Sequence, residues 1–161
     1  VTLSKFDPEL GTLRAVDISC EMNLSQEVMI ENENSEPVNF TLILAGELTV
    51  GLPSSDGLSI SFNQSTNGNL SEYDGVSDYA GSSGTKFVTH IPTEAATKSI
   101  EDIGEFQAEA PNQSMVLPVV VDVSSQSMMS GKSNSAVLSI AGAEVCVSYT
   151  YDLKSEEGGQ N

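Results

Sequence analysis

From Val16 to Leu24 apolar and polar residues alternate: Val16, Ile18, Cys20, Met22 and Leu24 against Asp17, Ser19, Glu21 and Asn23. Period two over nine residues predicts a strand with one buried and one wet face. Asp7-Pro8 and Leu10-Gly11 punctuate the approach to it. Residues 1–24 therefore read as a short edge strand over Val1–Lys5, a turn, and a long strand over 13–24. A return at Glu27–Glu31 follows, with Val28 and Ile30 inward, then an acidic turn through Pro37. From Val38 the even positions are Val38, Phe40, Leu42, Leu44, Gly46, Leu48, Val50 and Leu52. That register persists across Gly46, where a bulge or bend is expected. Leu58, Ile60 and Phe62 predict the next strand.

Residues 63–86 change character, with Asn, Ser, Gly and Asp dominant and apolar residues isolated, so they read as a long surface excursion. Strand pattern returns over Lys86–Ile91. Ile100, Ile103 and Phe106 at period three predict a short helix or 3₁₀ turn within Pro92–Ala110. Met115–Val123 reads as a central strand that Pro118 must bulge or expose. After a polar loop over 124–135, Ala136–Ile140 and Val145–Leu153 predict a terminal hairpin around Gly142. About nine strands and one short helical piece describe an all-β fold, a single antiparallel sandwich of jelly-roll type, with residues 1–161 as one domain.

Composition narrows the partners. With 23 acidic and six basic residues the formal charge is −17. Such a chain is repelled by phosphate backbones and by anionic bilayers, which argues against nucleic acid and membrane surfaces. The longest apolar run, around Val119-Val120-Val121, is far short of a transmembrane span. The opening on Val1 rather than Met fits removal of an export leader. Low aromatic content, no tryptophan and abundant Ser and Thr suit an extracellular β-domain.

Lys5-Phe6-Asp7-Pro8-Glu9-Leu10-Gly11-Thr12-Leu13, followed by the Val16-x-Ile18 strand, resembles the opening of choice-of-anchor E domains. These are exported bacterial and archaeal surface proteins, often with a PEP-CTERM type sorting tail. Ile103-Gly104-Glu105-Phe106 and Val145-Cys146-Val147-Ser148-Tyr149-Thr150-Tyr151 extend the likeness to the end of the chain. The resemblance implies secretion and a β-rich fold, and it brings no catalytic residues with it. The likeness is read without a sorting tail, and the two cysteines depart from the pattern.

Candidate chemistry is sparse. His90 is the only histidine, on a predicted strand, and no G-x-S-x-G elbow accompanies it, so a hydrolytic triad is not expected. The chain is read as not an enzyme. For Ca²⁺, the candidate cofactor, Glu72, Asp74 and Asp78 form the best carboxylate cluster, without the order of an EF-hand loop. Glu101, Asp102 and Glu105 are a second choice, although acids at a helical start also complement its dipole. N-x-S/T sequons at Asn23, Asn39, Asn63, Asn69 and Asn112 are candidate glycosylation sites. Export favours a Cys20–Cys146 disulfide, which on the loop-entropy account would stabilise the fold by roughly 4–5 kcal/mol. Alternation opposes it, because Cys20 falls on the apolar register of its strand and Cys146 on the polar one. Two free thiols or an intermolecular bond are the alternatives.

The expected function is a secreted structural subunit of an extracellular filament, pilus-like fibre or surface matrix. Its expected partner is itself, through β-strand donation at a sheet edge. Val1, Leu3 and Phe6 mark the donor segment; the polar, glycine-rich tail after Leu153 is a poorer one. The alternative is a monomeric cell-surface binding module for carbohydrate or Ca²⁺.

Overall fold

The computed structural model describes residues 1–53 and 55–154, with side chains described for all of these except 55 and 91–94. Eight strands are present among them: β1 (Thr2–Ser4), β2 (Gly11–Asn32), β3 (Val38–Leu52), β4 (Ser55–Leu70), β5 (Gly84–Ser99), β6 (Ser114–Val116), β7 (Val119–Met129) and β8 (Ser133–Leu153). One 3₁₀ turn covers Ile103–Phe106. Strands β5-β2-β8 form one sheet and β4-β3-β7 another, with every neighbour antiparallel, while β1 and β6 pair as a small third sheet. The chain changes sheet between β2 and β3, β4 and β5, and β7 and β8. The result is an antiparallel β-sandwich.

The sandwich is narrow and long. At about 3.3 Å per residue the 22-residue β2 spans roughly 70 Å. The alternating residues of β2 and β3 face each other across it and make two apolar clusters. Val16, Ile18, Cys20 and Met22 lie with Leu48, Val50, Leu58, Ile60, Phe106 and Leu117 in one. Val28 and Ile30 lie with Phe40, Leu42, Leu44 and Leu70 in the other. At the waist between them the inward register of β2 carries Gln26 and that of β3 carries Gly46.

Glycine serves a packing purpose here rather than a bend. Gly46 is the cross-strand partner of Phe62, and Gly68 is that of Phe40. A Cβ at either glycine would sit 2.3–2.4 Å from the facing ring. The missing side chain lets each phenylalanine lie flat over the opposite strand. The bulge expected at Gly46 is therefore absent, and the register of β3 runs through it unbroken.

Several predicted boundaries are corrected. Residues 13–24 and 27–31 are not a strand and its return but parts of one strand. Gln26 keeps the inward register while being polar, so the side-chain pattern breaks where the backbone does not. Residues 63–70 continue β4 instead of opening a loop. Gln64, Thr66 and Gly68 hold its inward positions, and pairing with Phe40–Leu44 extends the strand without an apolar signal. For the same reason 124–129 belong to β7, and β8 passes Gly142 opposite Asn23 with no turn. Over 92–99, read as part of the helical region, β5 continues against Asp17–Met22 beyond a register shift. Pro118 does not bulge a strand but separates β6 from β7, and its carbonyl accepts the Gly51 N–H at 2.9 Å.

Candidate functional site

One end of the sandwich is tied by polar groups. Alternation lapses at Ile30, Glu31 and Asn32, which are all buried. The Glu31 carboxylate accepts the Tyr79 N–H at 2.7 Å and the Ser83 hydroxyl at 2.6 Å. The Asn32 side chain donates to the carbonyls of Glu36 and Ser71 and accepts the Asn34 N–H. Asn34 in turn donates to the carbonyls of Ser130 and Lys132 and accepts the Lys132 N–H. These side chains fasten the 71–83 loop and the β7–β8 turn to the end of β2. The mark they leave in the sequence is Asn32, a polar residue at an inward position of β2.

The carboxylates singled out for Ca²⁺ are used differently. Asp74 accepts the Val76 N–H and Asp78 accepts the Ala80 N–H, each at 3.0 Å, so both close Asx turns within their own loop. Glu72 is exposed on the same loop. Asp102 caps the 3₁₀ turn by accepting from the Gly104 N–H, and neighbouring Glu101 and Glu105 are exposed. Among the described residues no three His, Cys, Asp or Glu side chains are grouped to hold a metal ion.

The expected Cys20–Cys146 disulfide is not formed; both thiols are free. Cys20 pairs with Val145, and Cys146 with Ser19. The two cysteines thus sit one step apart on adjacent strands and point to opposite faces, where a disulfide cannot span. Burial pushes the Cys20 thiol above its ordinary pKa. Desolvation and the nearby Glu144 carboxylate do the same for exposed Cys146. Titration of the denatured, unreduced protein is expected to find two free sulfhydryls per chain. In the native state only Cys146 should react, and more slowly at neutral pH than an ordinary thiol, because less of it is thiolate. Absence of free thiol after denaturation would overturn this assignment.

His90 is exposed on the outer face of β5, opposite Ser25. Asn23, Asn39, Asn63 and Asn69 are exposed on the outer faces of the two sheets, and Asn112 is exposed in a turn at φ 64°. Asn39 and Asn69 are direct cross-strand partners joined by a side-chain hydrogen bond.

The donor segment lies within its own chain. β1 pairs with β6 over three register positions, and Val1 and Leu117 exchange backbone hydrogen bonds. Phe6 is buried, its N–H donating to the Phe106 carbonyl and its own carbonyl accepting from Ala108. Its ring meets those of Tyr149 and Tyr151 at centroid distances of 5.8 and 5.0 Å. Tyr149 also donates its hydroxyl to the Ser4 carbonyl. These contacts tie residues 1–6 down and bury their aromatic anchor in the same chain. The tail beyond Lys154, weighed as a poorer donor, lies outside the described residues.

The two long seams of the sandwich differ. Between β4 and β5, Lys98 bridges to the Asp56 carbonyl, and β5 carries Lys86 and Pro92, residues that discourage strand pairing. Between β7 and β8 neither strand contains Lys, Arg or Pro, and the only charges are Asp122, Glu144 and Asp152. The 21-residue β8 ends its sheet among the described residues, and residues 4–6 reach its far end at Tyr149 and Tyr151. Ser139, Ala141 and Ala143 hold the inward register of β8 yet are exposed, as is Ser125 on β7. At the floor of this stretch Gln26 is fully buried and donates to the Ser139 hydroxyl at 2.8 Å. Its Oε1 has no hydrogen-bond partner.

Comparison of this chain with family models, with curated proteins and with solved structures returns no match. Among the described residues no helix is long and apolar enough to cross a membrane.

Proposed function

We propose that this protein is a non-enzymatic structural subunit of an extracellular filament or surface matrix, whose copies join by β-strand addition. The observation that carries the reading is the β8 edge: 21 residues without Lys, Arg or Pro. An edge of that length and composition templates pairing with another chain unless it is guarded. Paired, it satisfies a row of backbone groups at once, the economy on which strand-addition assemblies rest. The resemblance to choice-of-anchor E surface proteins supports the secreted setting, and the acidic composition supports solubility of the free subunit.

Residues 1–6 are the donor in this reading. Only three register pairs hold β1 to β6, and Asp7–Leu10 is a turn at which the segment can swing out. Electron microscopy of the concentrated full chain is expected to show fibres. Deleting Val1–Ser4 should leave a soluble monomer of lower stability and no fibres; normal fibres from the truncated chain would remove the N-terminal segment as the joint. Dispersed particles from the full chain, with a melting temperature that falls on chelation, would favour the Ca²⁺-binding module instead.

A further inference from the structure

The seam between β7 and β8 has the features of a groove with a missing strand. Its walls are two sheet edges with no Lys, Arg or Pro. Inward positions along it (Val123 and Ser125 on β7; Ala141, Ala143 and Val145 on β8) are small or β-branched and stay half-buried or exposed. Those positions would be covered in a complete sandwich. On the floor lies Gln26, on the central strand β2, its amide leaning toward β8 through the bond to Ser139. A buried amide oxygen without a partner is costly, and natural structures contain few. The cross-strand partner of Gln26, Ser139, is one of the exposed inward positions of this stretch.

The structure also indicates what would fill the gap. At one end the seam is already closed, and an extended segment closes it. Residues 1–6 run from Leu117, just ahead of β7, to Tyr149 and Tyr151 near the end of β8. Beyond Val147 toward Val137 the seam stays open. We infer that this open stretch takes the N-terminal strand, residues 1–6, of a second copy of the chain. Val1 and Leu3 turn inward there, and a backbone N–H of the incoming strand donates to Gln26 Oε1. This inference rests on the filament reading for its partner, but it can be tested without fibres.

The probe is a fluorescent peptide of residues 1–8, titrated into dilute full-length chain and followed by anisotropy, with a scrambled peptide as control. Saturable binding of the native order only is expected. Ala143→Lys places a charge in the groove at an exposed position and should weaken binding at least tenfold, with the circular dichroism spectrum unchanged. Gln26→Leu removes the orphaned oxygen, so the melting temperature should rise while peptide affinity falls at least tenfold. A purely structural Gln26 would move stability without moving affinity. No binding to the native chain, or equal binding to all three proteins, would overturn the inference. Fibres without peptide binding would discard the groove and keep the filament. Peptide binding without fibres would keep the groove and discard the filament.

Discussion

Replacing Glu31 by Ala is expected to cost the fold about 3 kcal/mol, read as a lower urea midpoint at unchanged slope. The carboxylate accepts from the Tyr79 N–H and the Ser83 hydroxyl. Hydrogen bonds to charged groups contribute about 1.5–3 kcal/mol each, and a buried donor left without a partner costs about 1–3 kcal/mol. Removing the charge also relieves its own desolvation, which holds the net loss below the sum. Gly84 lies against the same carboxylate and has no side chain with which to fill the space. Glu31→Gln keeps the shape and one acceptor oxygen and should lose about half as much. By contrast Glu27, paired on the surface with Lys86, should cost under about 1 kcal/mol when truncated. A loss as small for Glu31→Ala would mean that the 71–83 loop does not depend on this residue. Limited proteolysis gives the location: the variant should be nicked in that loop before anywhere else.

Phe106→Ala is expected to lose about 3–5 kcal/mol, the range for truncating a buried aromatic. Phe106 is fully buried in the cluster that includes Phe6, Val16 and Leu117. The 3₁₀ turn that carries it lies at the same end as β1 and β6, and its carbonyl accepts the Phe6 N–H. A cavity there should loosen the N-terminal segment before it loosens the two main sheets. Hydrogen exchange at the Phe6 amide should accelerate more than exchange at Leu42 or Leu44, which belong to the other cluster. If residues 1–6 are exchanged between copies, the same variant should also polymerise faster. Equal acceleration at both ends of the molecule would show one cooperative unit and discount a separately opening segment.

Much of the architecture is legible in alternation. Period two over Val16–Leu24 and Val38–Val50 identifies the two central strands and, residue by residue, the sides of them that are buried. The cysteine conflict is legible in the same way: Cys20 and Cys146 fall on opposite registers, and the register pairing keeps them on opposite faces. The 3₁₀ turn at Ile103–Phe106 lies where period three places it. Alternation is local, however, and stays silent where the inward position is Gln26, Gln64, Thr66 or Ser139. Those residues are in strands because a neighbouring strand pairs with their backbone, and backbone pairing has no side-chain signature.

The candidate sites divide along the same line. Composition and spacing could point to Glu72, Asp74 and Asp78, but two of these acids are used locally, each accepting the backbone N–H two residues on in an Asx turn. Glu31 acquires its role from Tyr79 and Ser83, some fifty residues away, and no local pattern announces such a partner. What the amino-acid order determines by itself is the all-β class, the inward register of each central strand and the end-cap turn, because these follow from periodicity and neighbouring residues. Which strands stand at the sheet edges, that lysines and proline line one seam and not the other, and that Gln26 lies opposite exposed Ser139 were decided only when the strands paired into their two sheets. Those are long-range pairings, settled by the burial of whole faces.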